Sequence, residues 1–429
     1  MMAARSPASN DTRGFGPINY VKITIFGFAL AALWNSLHSI VLPLRLLDFV
    51  AEAEKNTYLG YISAAGLLLA MVTQPIAGAF SDRSGLRWGR RRPYILGGAA
   101  VAVLLISGIG FAADYVTVFA IYCLLQVSCN VAQAPYQGFI PDLVPADRRG
   151  LASGVKSLLE IVGGVSLVRL IALFMEHYST GGGAHWLWLS LGILAAILLG
   201  TMLATVLTVR ERPAAGGSRQ PLLPTLYQSF RIDVRANRAF IWFLVSRLLV
   251  LMAFAILQRF ALYFIRDVVG IASPAAVTGD LLIVVGICML AAVYPAGRLS
   301  DRTGRRPIAI FSGLFGALGI AVLFLADSYG VVILAGGILG IASGAFLSTG
   351  WALATDLVAS GEEARYLGLA NLAGTGGSAL VLLTVGRLID LFNTYDPNLG
   401  YSVMLLICFI YFVVGSLLLL KVTDWSQLK

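Results

Sequence analysis

Twelve times along this chain, about twenty predominantly apolar residues follow one another before a short polar stretch interrupts them. Coiled as an α-helix, a run of that length matches the thickness of a bilayer's hydrocarbon core. The runs lie near 21–43, 57–80, 94–113, 115–138, 151–175, 185–209, 239–264, 276–297, 308–327, 329–354, 366–389 and 401–421. In lipid, backbone N–H and C=O groups must be satisfied inside the segment, so each run is expected to be a helix and the chain an all-α membrane protein. Composition agrees: with 58% hydrophobic and 12% charged residues there is too little polar surface to coat a water-soluble globule. About twenty mainly polar residues precede the first run, and no small-residue cleavage site flanks it, so that run is expected to be a retained span. Cys123, Cys129, Cys288 and Cys408 all fall inside runs, where they read as small apolar side chains rather than as a disulfide framework.

The net charge of +9 reads as topology. Arginines crowd the connections after the second, fourth, sixth and eighth runs: Arg83, Arg87 and Arg90 to Arg92; Arg148 and Arg149; Arg210, Arg212, Arg219, Arg231, Arg235 and Arg238; Arg298, Arg302, Arg305 and Arg306. The alternate connections carry mainly Asp48, Glu52, Glu54, Asp114, Glu176, Asp327, Asp390 and Asp396. Positive loops stay on the cytoplasmic side, which places both termini there and leaves no need for a nucleic-acid partner to explain the basicity.

The chain also repeats itself. Gly78 to Arg83 reads G-A-F-S-D-R and Gly297 to Arg302 reads G-R-L-S-D-R; Gly89 to Pro93, G-R-R-R-P, returns as Gly304 to Pro307, G-R-R-P. A looser pair sets Asp142, Leu143 and Val144 with Arg149, Gly150 and Ala152 against Asp356, Leu357 and Val358 with Arg365, Gly368 and Ala370. Two six-helix halves, 1–209 and 239–429, are therefore expected, joined by a cytoplasmic linker over 210–238. The G-x-x-x-D-R-x-G-R-R pattern after the second and eighth helices resembles the signature loop of the major facilitator superfamily. The longer stretch from Ser81 to Ile95, with Gln133, Ala134 and Pro135 before Pro141, Asp142 and Leu143, resembles the glycoside-pentoside-hexuronide symporters and the sucrose transporters. The resemblance implies the major facilitator fold and transport of a sugar or disaccharide. It also implies a gating role for Asp82, Arg83, Arg90, Asp301, Arg302 and Arg305. Charges in a tight turn can pair with each other and with a helix end to latch one side of the bundle; the plainer reading is that they only anchor the loops.

The resemblance further implies that helices 1, 4, 7 and 10 line a central cavity, so their polar residues are the candidate substrate contacts. In helix 4, Gln126, Asn130, Gln133 and Gln137 recur at four, three and four residues, which places them on one stripe. Helix 1 sets Asn35, His38 and Arg45 on one face; helix 7 aligns Arg247 with Gln258; helix 10 aligns Ser348, Trp351 and Thr355; helix 11 adds Asn371, Thr375 and Ser378. Amides and hydroxyls, with Trp34 or Trp351 for an apolar sugar face, suit a neutral polyhydroxyl solute, although interhelical hydrogen bonding would use the same residues.

Gradient-driven transport needs a group that titrates, and Glu160 and His38 are the proton-coupling candidates. Glu160 stands four residues after Lys156 and could equally serve as its structural partner. Helix 2 has no aspartate of the melibiose-carrier kind, and Gln126 and Gln137 stand where sucrose transporters carry Asp and Arg. Proton symport is thus expected with a relocated coupling group, against an uncoupled facilitator. Export of drugs or other organic solutes is the alternative, weakened because helix 5 has Gly150, Gly154, Gly163 and Gly164 but no Gly-Pro pair. A non-transporting sensor would not need the loop motifs. No phosphate loop, His-Glu-x-x-His or Cys-x-x-Cys pattern occurs, so neither an enzyme, a cofactor nor a metal is expected. The expected protein is a monomer in the cell membrane, with protons and a small solute as its partners.

Overall fold

The computed structural model describes residues 16–86, 88–211, 238–357 and 363–422. Twelve of its helices are long and apolar enough to cross a membrane. In chain order they are α1 Pro17–Leu46, α2 Glu52–Arg83, α3 Arg92–Phe111, α4 Tyr115–Leu143, α5 Arg149–Ser179, α6 His185–Thr208, α7 Arg238–Val269, α8 Pro274–Thr303, α9 Arg305–Leu323, α10 Tyr329–Asp356, α11 Gly368–Asn393 and α12 Leu399–Lys421. Each expected run falls on one of these helices, those at 94–113 and 308–327 overshooting its C-terminal end by two and four residues, and most helices outlast their run into the polar flanks. The expected linker lies outside the described residues except at 210, 211 and 238; Arg87 and the side chain of Arg365 lie outside them too.

Two six-helix bundles pack by one scheme. α1 lies on α5 and α6, α2 and α3 on α4, and α3 on α6. Shifted by six, α7 lies on α11 and α12, α8 and α9 on α10, and α9 on α12. The halves meet chiefly along α2 with α11 and along α5 with α8. Small residues allow the tightest crossings. A Cβ built on Gly163 of α5 would sit 2.8 Å from Phe28 Cα and its carbonyl carbon, so only glycine lets α5 press this closely onto α1. Leu104, Phe111, Leu207 and Leu325 remain exposed on the outside, an apolar belt suited to lipid.

The loops sort by charge. One end of the bundle, here the basic end, carries the arginine motifs after α2 and α8; the other, the acidic end, carries Asp48, Asp114 and Asp327. Asp114 caps α4: Thr117 N–H and Oγ1 donate to its carboxylate at 2.9 and 2.8 Å. The backbone N–H bond, and then the hydroxyl bond, hold this exposed carboxyl below its ordinary range.

α1 departs from regular spacing at a π-helical turn, Leu37–Val41. The extra residue rotates everything beyond it. Arg45 consequently leaves the face it was expected to share with Asn35 and His38. It turns into its own half, pairing with Asp48 at 2.7 Å and donating to Ala112 O at 2.6 Å and Tyr178 Oη at 3.0 Å.

Candidate functional site

Polar side chains of α1, α2 and α4 form a continuous chain inside the N-terminal half. Gln74 Nε2 donates to Asn130 Oδ1 at 2.7 Å, and Asn130 Nδ2 donates to Gln126 O at 2.7 Å and Gln126 Oε1 at 3.3 Å. Gln126 Nε2 donates to Tyr122 Oη at 2.7 Å, and Tyr122 Oη lies 2.9 Å from His38 Nε2. Gln126 Nε2, which can only donate, also lies 3.3 Å from His38 Nε2, so Nε2 can accept from both Tyr122 and Gln126 when the ring proton sits on Nδ1. Trp34 stacks on the same imidazole, ring centres 4.9 Å apart. Gln126 and Asn130 are buried, whereas Gln133 is half-buried and Gln137 exposed toward the basic end. The helix 4 stripe is thus one face with two environments, and Gln133 and Gln137 stay outside the hydrogen-bonded chain.

α7 brings the other wall. Gln258 Nε2 donates to Asn35 Oδ1 at 3.2 Å, and Arg259 Nη1 reaches His38 O at 3.4 Å. Asn35, Gln258 and Glu160 line a cavity of about 500 Å³ between α1, α5, α7, α8 and α10, whose remaining wall is mostly Leu, Val, Phe and Met. Glu160 faces Lys156 at 3.5 Å and keeps about a third of its side chain exposed. Both readings of Glu160 thus meet at one place, since it has its i,i+4 partner and also reaches the cavity.

Arg247 does not join Gln258 despite sharing its face. It sits three helical turns nearer the basic end, 3% exposed, with its guanidinium 4.5 Å above the Trp351 ring. Its Nε and Nη1 are buried without a hydrogen-bond partner among the described residues. One face of each tryptophan considered for sugar stacking is therefore already covered, Trp34 by His38 and Trp351 by Arg247. Asn371 is exposed on α11 and makes no side-chain hydrogen bond among the described residues.

The motif charges pair within halves. Asp142 takes Arg90 Nη2 and Arg91 Nε, each at 2.5 Å, and Arg91 Nη2 reaches Asp82 at 3.1 Å. Glu211 accepts the backbone N–H groups of Arg91 and Arg92 at 2.9 and 3.1 Å. In the C-terminal half Arg305 pairs with Asp356 at 2.5 Å. The looser sequence repeat therefore marks equivalent ion pairs, Arg90 with Asp142 and Arg305 with Asp356. Asp301 and Arg302 are exposed and form no ion pair among the described residues. Arg83 is exposed at the end of α2.

Sequence reasoning missed Tyr122, Gln74 and Arg259. Tyr122 stands four residues before Gln126 and so extends the stripe, but an aromatic in an apolar run reads as core. Arg259 carried a usable signal, a charge inside a long apolar run. Glu176 and Asp390 were read as loop residues because α5 and α11 outlast their apolar runs. Among the described residues no group of three or more His, Cys, Asp or Glu side chains is placed to hold a metal ion.

Several known proteins are similar. Sucrose transport protein SUT1 of Oryza sativa subsp. japonica is 32% identical over 143 residues, 28% of this chain and 25% of that protein. Sucrose transport protein SUC3 of Arabidopsis thaliana is 28% identical over 132 residues, 26% of this chain and 22% of that protein. The chain thus matches about a quarter of the length of these relatives. Among solved structures, a D-xylose–proton symporter has a TM-score of 0.74 at 18% identity, covering 96% of this chain and all of that one. A bacterial homologue of the human lysosomal transporter Spinster, in an inward-facing and occupied conformation, has a TM-score of 0.74 at 18% identity over 96% of this chain and 99% of that one. These likenesses establish the major facilitator fold. With the family's profile matching residues 26–423, the chain belongs to the family described as MFS/sugar transport protein.

Proposed function

We propose that this protein moves a sugar or disaccharide across the cell membrane by alternating access, in symport with protons. The observation that carries the reading is the cluster of His38, Tyr122, Gln126, Asn35 and Gln258, where α1, α4 and α7 converge beside the cavity. Amides, a phenol and an imidazole offer donors and acceptors without fixed opposite charges, the chemistry that hydroxyl groups match. The names of the sucrose transport proteins support the same solute class. The halves 1–209 and 239–429 are the moving bodies, 210–238 joins them, and the basic end faces the cytoplasm, since positive loops remain inside. The protein acts as a monomer.

Glu160 is the better placed coupling group, because it reaches the cavity and its ion pair with Lys156 is loose. His38 is tied to Tyr122 and Gln126 and stacked on Trp34, and it serves to shape the site. The motif residues Asp82, Arg83, Arg90, Asp301, Arg302 and Arg305 gate the basic end, with Asp142 as the principal acceptor of the first loop.

A second reading, export of an apolar organic solute, draws on the mostly aliphatic wall of the cavity. Thermal melting of the purified protein separates the two, because a ligand bound only to the folded state raises apparent stability. Sucrose or a related disaccharide is expected to raise the melting temperature dose-dependently. Stabilisation by lipophilic cations and by no sugar would replace the first reading with the second.

A further inference from the structure

The two seams between the halves are built alike at the acidic end. The N–H groups of a helix's first turn have no partner within the helix. In α2, Thr57 N–H donates to Asp390 Oδ2 at 2.6 Å, and Asn56 Nδ2 donates to Asp390 Oδ1 at 2.8 Å. Asp390 belongs to α11 of the other half, within a turn of that helix's end, and is only 8% exposed. Across the bundle, Ala275 and Ala276 N–H, in the first turn of α8, donate to Glu176 Oε2 of α5 at 2.8 and 3.2 Å. Glu176 likewise stands in the last turn of its helix.

Thr57 and Ala276 are 219 residues apart in sequence, the spacing that also separates Gly78 from Gly297 in the repeated motif. α5 and α11 correspond under the same six-helix shift. The side chains differ, Asp for Glu and Asn-Thr for Ala-Ala, yet a carboxylate grips the same backbone position in both. Each grip sits beside a close crossing. A Cβ on Gly60 would strike Leu382 O of α11, and one on Gly279 would sit 2.8 Å from Ala172 Cβ of α5. Further charges brace both seams: Lys55 with Asp267 at 2.6 Å, and Arg169 with Asp280 at 2.8 Å. A carboxylate at a helix N-terminus meets both unpaired N–H donors and the positive end of the helix dipole, and both act more strongly away from water.

We propose that Asp390 and Glu176 are paired clasps, each a carboxylate of one half seated on a helix N-terminus of the other, which together hold the acidic end shut. Opening that end requires both to let go, and water then takes over the freed carboxylates and N–H groups. The proposal rests on the alternating-access reading but not on the identity of the solute. The basic end uses its carboxylates differently, with Asp142 and Asp356 pairing inside their own halves, so among the described residues the clasps are devices of the acidic end.

The test is pulsed dipolar spectroscopy on the full chain, with the four native cysteines replaced. Spin labels are placed by Val116→Cys and Tyr395→Cys, both exposed at the acidic end on opposite halves. The parent is expected to populate mainly a short distance. Asp390→Ala and Glu176→Ala should each raise the ratio of long to short distances about tenfold, and the double variant by roughly the product. Asp327→Asn, an exposed carboxylate of the same end that forms no ion pair among the described residues, should leave the distribution unchanged. Asp390→Asn and Glu176→Gln, which keep an acceptor oxygen without the charge, should give a smaller rise. If the Ala variants do not fold, this Asn/Gln pair decides. An unchanged distribution in a monodisperse, folded double variant of either kind, or equal opening by Asp327→Asn, overturns the clasps. Because no sugar enters the experiment, failure to transport sugar would leave the result standing.

Discussion

Replacing Asp142 with asparagine tests which carboxylate anchors the first arginine loop. Asp142 holds two guanidinium groups at 2.5 Å. Arg91, one of them, has a side chain only 8% exposed, with Asp142 itself at 27%. Breaking a fully buried pair costs about 3–5 kcal/mol, and an exposed one about 0–1 kcal/mol. The loop lies between these limits. Arg91 keeps Asp82 at 3.1 Å and Pro135 O at 3.3 Å after the change, so the expected loss is about 2 kcal/mol. Asp82 is 55% exposed and forms one ion pair among the described residues, so Asp82→Asn should cost under about 1 kcal/mol. Asp301→Asn removes no ion pair and should cost about nothing. Thermal melting in detergent should therefore rank the variants Asp142, Asp82, Asp301, with the first lowered by about 2 °C. Asp82→Asn as damaging as Asp142→Asn would refute the assignment of Asp142 as principal acceptor.

Three further outcomes are expected. Gln126→Leu breaks the chain between Asn130 and Tyr122 and should raise the half-saturating sugar concentration by about ten- to a hundredfold in uptake assays; an unchanged value would remove this stripe from the site. Glu160→Gln should abolish accumulation driven by a proton gradient while sparing sugar exchange at equal concentrations, and retained accumulation would free Glu160 of the coupling role. Gly163→Val places branched carbons against the Phe28 backbone and should destabilise by at least about 1–3 kcal/mol, read as lower melting or lost yield, whereas Gly78→Ala, with open space around it, should change little.

Local sequence carried the spans, the repeat and the polar stripe because each is a periodic or compositional signal that one stretch of chain can hold. The looser Asp142 and Asp356 repeat even foreshadowed equivalent ion pairs. What lay hidden depended on geometry between distant segments. Asn56 meets Asp390 across 334 residues, a contact no periodicity encodes. The π-helical turn at Leu37–Val41 shifted Arg45 by a step that an ideal helix does not contain. Asp267 and Asp390 were invisible as helix residues because apolar runs mark the part of a helix that lipid touches, and polar ends continue beyond it. Gln74 shows the same limit differently, since it acquires meaning only from Asn130 on α4.

The most direct test of the central claim is uptake of labelled sucrose and related disaccharides into proteoliposomes, with and without an inward proton gradient. Accumulation above the external concentration only when the gradient is present is the expected result. Equilibration without accumulation would make the protein a facilitator, and no flux of any sugar through correctly folded protein would contradict the sugar-transport account.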